Sequence, residues 1–309
     1  MFIEQAYKGI NEWWRVVIVT LFGTGLFILN LIMFLTMDLD VQAEMDAMME
    51  LFKSKNLLLA FNLAPFAAIL FLLFLLVWAL HQRSILSLTT AREKVDFKRI
   101  LFSFMMVFIY TIVTFVVAYY ASPDDYVWQF DASKFSILVL IGLILFPFQI
   151  GLEEWLFRGY LMQQIGIAVR NKWMPLLITS IMFGVFHSAN PEVAEIGPII
   201  MVFYIGTGLL LGIMTLMDDG LELALGFHFG NNLLAATLLT FEYSALQTDA
   251  LFKSVAPTGA GVELILPVLI VYPIFLLVLA KKYKWTNWRE KLTGKVMPPV
   301  PVTSKTEEI

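Results

Sequence analysis

The chain is 309 residues long, 59% hydrophobic and only 15% charged, against about 45–50% and about 25% in ordinary soluble domains, which excludes a soluble globular protein. A net charge of −4 excludes a basic chain built to neutralise phosphates, so no nucleic acid partner is expected. With no cysteine, disulfides, thiol chemistry and cysteine-held zinc are impossible.

Eight apolar runs bounded by charge follow in chain order, at about 14–37, 57–80, 100–120, 135–167, 173–190, 198–217, 221–241 and 262–280. They predict an all-α, polytopic membrane protein with about eight transmembrane helices. The first run is too long for a signal-peptide core and no small-residue cleavage site closes it, so it is expected to remain as an anchor. Sixteen of the 21 Lys and Arg lie before or at the start of the first run, in the 81–99 loop, at 170–172 or after 280, while Lys53, Lys55, Lys134 and Lys253 alone lie on the other side. That bias places both termini in the cytoplasm of a multi-pass integral membrane protein, in the plasma membrane if the source is prokaryotic. Residues 1–296 form one membrane domain, and the Pro-rich 297–309 segment is expected to be a disordered cytoplasmic tail. Membrane lipid is the first expected partner.

The fourth run is too long. As a straight helix it would span about 48 Å, against a hydrocarbon core of about 30 Å, so it must tilt, break or project. Pro147 and Gly151 are natural kink sites. Arg158, Gln163, Gln164 and Arg170 suit a hairpin tip that projects into the cytoplasm.

Ionisable side chains within such runs are expensive, and each marks a candidate site. They are few: Glu153, Glu154 and Arg158 in the fourth run, His187 near the end of the fifth, and His228 in the seventh with Asn231 and Asn232 close by. His81 sits at the start of the basic loop, where solvation is expected to explain it. Glu154 and Arg158 are i,i+4 and suit a local ion pair, whereas Glu153 points about 100° away. Phe183 and His187 share a face, as do His228 and Asn232. A tight turn at Arg170-Asn171-Lys172 pairs the fourth and fifth helices antiparallel, and Glu153 and His187 are each 17 positions from Arg170, so they stand at equal height. In a low-dielectric interior a carboxylate and an imidazole can be tuned to take a proton from water near neutral pH. His228 and Asn232 supply hydrogen-bond donors suited to an oxyanion. The same groups allow a second chemistry, in which Glu153, His187 and His228 hold zinc with water as the fourth ligand. No cofactor is the first expectation and zinc the alternative, because Asn is a poor zinc ligand and no HExxH motif is present.

Gly151-Leu152-Glu153-Glu154-Trp155-Leu156-Phe157-Arg158-Gly159 has the form EExxxR, Phe183 to His187 has FxxxH, and His228 to Asn232 has HxxxN. In this order, on three hydrophobic segments, they resemble the signature motifs of the CAAX prenyl protease and bacteriocin-processing (CPBP) family of intramembrane proteases, over residues of about 135–241. The resemblance implies an all-helical core with a polar intramembrane site open to the cytosolic side. It implies that Glu153 and His187 activate the attacking water, that His228 and Asn232 form the oxyanion site, and that Glu154, Arg158 and Phe183 are structural support. The expected partner is then a peptide or protein substrate in or at the membrane, lipidated or otherwise. Two other readings of the polar cluster are a proton-coupled transporter and a non-catalytic immunity or scaffold protein.

Overall fold

A computed structural model describes residues 1–37, 41–257 and 265–299. A short 3-10 helix (Ile3–Lys8) precedes α1 (Trp13–Thr36), α2 (Val41–Phe52), α3 (Lys55–His81), α4 (Ile85–Thr89) and α5 (Phe97–Ala121). The strand β1 (Tyr126–Trp128) leads into α6 (Ala132–Glu153), which runs without a break through a π-helical segment (Glu154–Leu161) into α7 (Met162–Val169). Then come α8 (Trp173–Val185), α9 (Pro191–Ile196), α10 (Ile200–Asp218), α11 (Glu222–Thr237), β2 (Leu239–Thr240), β3 (Phe252–Ser254), α12 (Tyr272–Tyr283) and α13 (Trp288–Thr293). The protein is an all-α polytopic membrane protein.

Each apolar run expected to span contains a helix, but the helices differ in length. Among the described residues five helices, Trp13–Thr36, Lys55–His81, Phe97–Ala121, Ala132–Val169 and Ile200–Asp218, are long and apolar enough to cross a membrane. The fifth run stops early: α8 has 13 residues, because the chain turns through Phe186–Asn190 before Pro191 opens α9. The seventh run is the 16-residue α11. The eighth enters α12 through a π-helical turn at Pro267–Val271, and its expected start at 262–264 lies outside the described residues.

Helix boundaries follow from local chemistry. Ser54, Asp96 and Asp131 cap α3, α5 and α6 by accepting from the backbone N–H of Leu57, Lys98 and Lys134, which satisfies donors the first turn leaves free. Arg170 (φ 56°) and Asp219 (φ 54°) adopt the left-handed conformation and reverse the chain between α7 and α8 and between α10 and α11. Around these turns α8 packs on α10, α11 on α5, and α3 on α6.

Three expectations need correction. Pro147 and Gly151 lie inside regular α6, and the irregular winding falls just after them, at Glu154–Leu161. Of the polar side chains of the hairpin beyond it, Arg170 alone is exposed as expected, whereas Arg158, Gln163 and Gln164 are buried. Gln163 accepts from Arg83 Nη2 at 2.5 Å and donates to Ser87 O at 3.0 Å, and Gln164 donates to Asn11 Oδ1 at 2.9 Å. His81 is likewise buried, with Nδ1 2.6 Å from Ile10 O and Nε2 2.9 Å from Tyr160 Oη. A polar layer built from the N-terminal segment, α4 and α13 therefore covers this end of the bundle. Phe2 N donates to Asp219 Oδ1 at 3.0 Å, Lys172 N to Gly294 O at 3.1 Å and Val296 N to Arg170 O at 3.1 Å. The basic loop belongs to the same layer, since Arg92 and Arg99 both reach buried Asp218 and Arg92 also reaches Glu222. Of the expected 297–309 tail, residues 300–309 lie outside the described residues.

At the opposite end a three-stranded sheet in the order β1-β3-β2, antiparallel between β1 and β3 and parallel between β2 and β3, joins the connections after α5 and α11.

Candidate active site

The site lies where the last turn of α6 and the π-helical segment face α11 and the end of α8. A π-helix closes i→i+5 hydrogen bonds and carries more residues per turn than an α-helix, and such segments recur at functional sites. Here it starts at Glu154, directly after Glu153, and ends past Arg158, so all three charged residues of the first motif sit on or beside it. All three are buried, as is His228.

Glu154 and Arg158 form the expected ion pair, with Nη1 of Arg158 2.9 Å from Oε1 of Glu154. The arginine does more than neutralise one acid. Its Nη2 donates to Gly208 O at 3.3 Å and its guanidinium lies 4.5 Å over the ring of Phe183. Gly208 permits this approach because α8 and α10 touch there; a Cβ at this position would sit 2.9 Å from the backbone of Ser180.

Glu154 has a second partner. His228 Nδ1 lies 2.8 Å from the same Oε1, and since a carboxylate only accepts, Nδ1 carries the proton. The other nitrogen, Nε2, faces Glu153 Oε2 at 3.5 Å. The imidazole beside Glu153 is thus that of His228, and His187 stands further off, within electrostatic range of Glu153, His228 and Arg158. Its Nδ1 is 2.6 Å from Phe183 O, an acceptor, so Nδ1 is again the protonated nitrogen and Nε2 is free to accept. Its ring stacks on Tyr204 at 4.5 Å and lies 4.6 Å from Phe183.

Phe183 is therefore central to the cluster: it fixes His187 through its carbonyl, supports Arg158 on its face, and meets His228 edge-on at 5.9 Å.

The sequence reading missed Gln149. Its Nε2 donates to Glu153 Oε1 at 2.5 Å and its Oε1 accepts from Asn232 Nδ2 at 2.9 Å, so one amide joins the first and third motifs. Asn231 in turn donates to Asn232 Oδ1 at 3.2 Å. The signal was available as a polar residue at i−4 from Glu153 in an otherwise apolar stretch. Tyr204 was missed too, and no spacing rule points to it.

Two carboxylate oxygens, Glu153 Oε2 and Glu154 Oε2, are buried with no hydrogen-bond partner. Among the described residues no group of three or more His, Asp or Glu side chains is arranged to hold a metal ion. Glu153, His187 and His228 do not converge as a ligand set: His228 turns one nitrogen to each carboxylate, and His187 is held to a backbone carbonyl.

Comparison with known proteins covers this region. The profile of the Rce1-like family, described as type II CAAX prenyl endopeptidase Rce1-like, matches residues 134–234, which include all three motifs. The uncharacterized protein YyaK of Bacillus subtilis (strain 168) is 30% identical over 247 residues, covering 75% of this chain and 80% of that protein. No solved structure matches. By its profile, its relative and the motifs brought together here, the chain belongs to the Rce1-like, CAAX prenyl protease and bacteriocin-processing family of intramembrane proteases.

Proposed function

We propose that the protein is an intramembrane endopeptidase that hydrolyses peptide bonds of membrane-associated or lipidated proteins with a water activated by Glu153 and His187, without a metal. The observation that carries this reading is Glu153 Oε2, a buried carboxylate oxygen without a hydrogen-bond partner, 3.5 Å from Nε2 of His228 and on the side of the cluster where His187 also stands. A buried acceptor of this kind is costly unless something fills it, and a water between Glu153 and the imidazoles does so.

In the proposed reaction Glu153 takes a proton from this water while Nε2 of His187, unprotonated because Nδ1 is bound to Phe183 O, orients it. The hydroxide oxygen adds to the amide carbon. The amide N–H of Asn232 not bound to Gln149 donates to the resulting oxyanion, with the His228 ring beside it. The proton held by Glu153 then passes to the leaving amine as the C–N bond breaks. Glu154 fixes the tautomer of His228, and Gln149 fixes the orientation of both Glu153 and Asn232; these two are positioning residues.

Both termini are proposed to face the cytoplasm. The N-terminal segment, the basic 83–99 loop, the Arg170–Lys172 turn and α13 lie together at one end of the bundle, where the positive charge is concentrated.

The test is the purified protein with a panel of membrane-associated peptides. Glu153→Gln is expected to abolish cleavage, and full cleavage by that variant removes the mechanism.

A further inference from the structure

We propose that a cavity at the end of the molecule opposite the basic layer binds the headgroup of an anionic phospholipid that carries free hydroxyls. The cavity has a volume of about 560 Å³ and opens between the end of α2, the start of α3 and the start of α6. Ligand sites typically measure about 300–1,000 Å³.

The charge is the first observation. Only four lysines fall on the side opposite the basic segments, and three of them, Lys53, Lys55 and Lys134, line this one cavity. One carboxylate, Asp249, shares the wall, so the three ammonium groups leave an excess of positive charge. None of the three is ion-paired among the described residues; the only polar contact of a lysine Nζ here is Lys55 to Thr248 O at 3.5 Å.

The level is the second. Lys55 is the first residue of α3 and Lys134 lies in the first turn of α6, and these two helices cross the membrane packed side by side. The lysines therefore stand where crossing helices meet headgroups, with the positive dipole ends of both helices beside them. One turn further in, Leu57 and Ile137 line the same cavity and are about half exposed, which suits acyl chains directly beneath a bound phosphate.

The third is Asn56, which is 6% exposed. Its Nδ2 donates to Lys134 O at 2.9 Å, but its Oδ1 is buried and has no partner. A lipid phosphodiester alone cannot satisfy that oxygen, because at neutral pH it offers only acceptors. A phosphoglycerol head offers both: phosphate oxygens for the lysines and hydroxyl donors for Asn56. Lysines that merely snorkel to bulk lipid need neither the cavity nor a buried amide at its wall.

The full chain in detergent, titrated with dioleoylphosphatidylglycerol, dioleoylphosphatidylcholine or inorganic phosphate and read by native mass spectrometry, tests this. Phosphatidylglycerol is expected to bind about tenfold more tightly than phosphatidylcholine. Lys134→Glu is expected to weaken it about tenfold, Asn56→Leu to reduce its advantage over phosphatidylcholine, and Lys253→Glu, on the same side but outside the cavity, to leave it within about twofold. Equal affinity for the two lipids, or equal loss in Lys134→Glu and Lys253→Glu, overturns the proposal by showing diffuse attraction. Displacement of the lipid by an equal concentration of inorganic phosphate overturns it in favour of a free-anion site.

Discussion

Glu154 Oε1 accepts a hydrogen bond from His228 Nδ1 at 2.8 Å, tying two residues 74 positions apart in the chain. The first motif is therefore more than a self-neutralising pair. Glu154→Gln retains an acceptor for His228 but loses the charge opposite Arg158, and cleavage is expected to fall by about 10²-fold while the protein still folds. Glu154→Ala removes the acceptor as well as the charge, leaving both Arg158 Nη1 and His228 Nδ1 buried without a partner, which costs about 3–5 kcal/mol, and a sharp drop in the thermal midpoint is expected. Parent-like unfolding of Glu154→Ala in detergent would show that the pair does not hold this part of the bundle.

Gln149 holds Glu153 and Asn232 at once. Gln149→Leu removes both bonds with little change in volume, and a buried polar group left unpaired costs about 1–3 kcal/mol. The expected result is a kcat lower by about tenfold or more, with KM within about twofold and an altered pH profile. A change in KM alone would place Gln149 in substrate binding instead.

His187→Ala is expected to lower turnover by about 10²–10⁴-fold, with binding of an uncleaved peptide analogue retained. A strong chelator is expected to leave the parent's turnover unchanged; turnover lost with chelator and restored by zinc would replace the metal-free mechanism.

Outside the crossing helices, burial pushes the carboxyl of Glu192 above the usual carboxylate range, opposed in part by the bond it accepts from Ala245 N. A raised folded pKa means a contribution to stability that is complete below the unfolded pKa and is lost as pH rises through the folded value. Glu192→Gln keeps the acceptor and cannot ionise. Thermal scans are expected to show this variant equal to the parent near pH 4 and higher by about 1–2 °C at pH 8. A parent midpoint that rises over the same interval relative to the variant contradicts the assignment.

Much of this was readable from residue order. Long apolar runs are strong signals, and the intramembrane charges are so expensive that their segments had to be brought together, as Glu153, Glu154, Arg158 and His228 are. The identity of the imidazole next to Glu153 was not readable. Equal height along two helices selects His187, but height says nothing about rotation, and the Glu153 carboxylate faces His228 of α11 just ahead of the π-helical winding. Eight residues are too few for an apolar pattern to reveal that winding. The buried roles of His81, Arg83 and Gln163 were hidden for another reason: polar residues beside a turn look the same whether water or a covering segment satisfies them. The three short strands are too brief to show alternation.

The wide winding at Glu154–Leu161 gives the chain slack in length at a place where the side chains are not free to change, since most of them are buried. In a regular α-helix one residue more or less rotates everything downstream by about 100°, whereas a π-helical turn takes up an extra residue with far less rotation. The hairpin beyond it can therefore keep Arg158 at Gly208 O and the Gln163 and Gln164 amides on their partners. Related sequences one position shorter between 159 and 161 can be expected to wind this stretch as ordinary α-helix and to keep the downstream contacts.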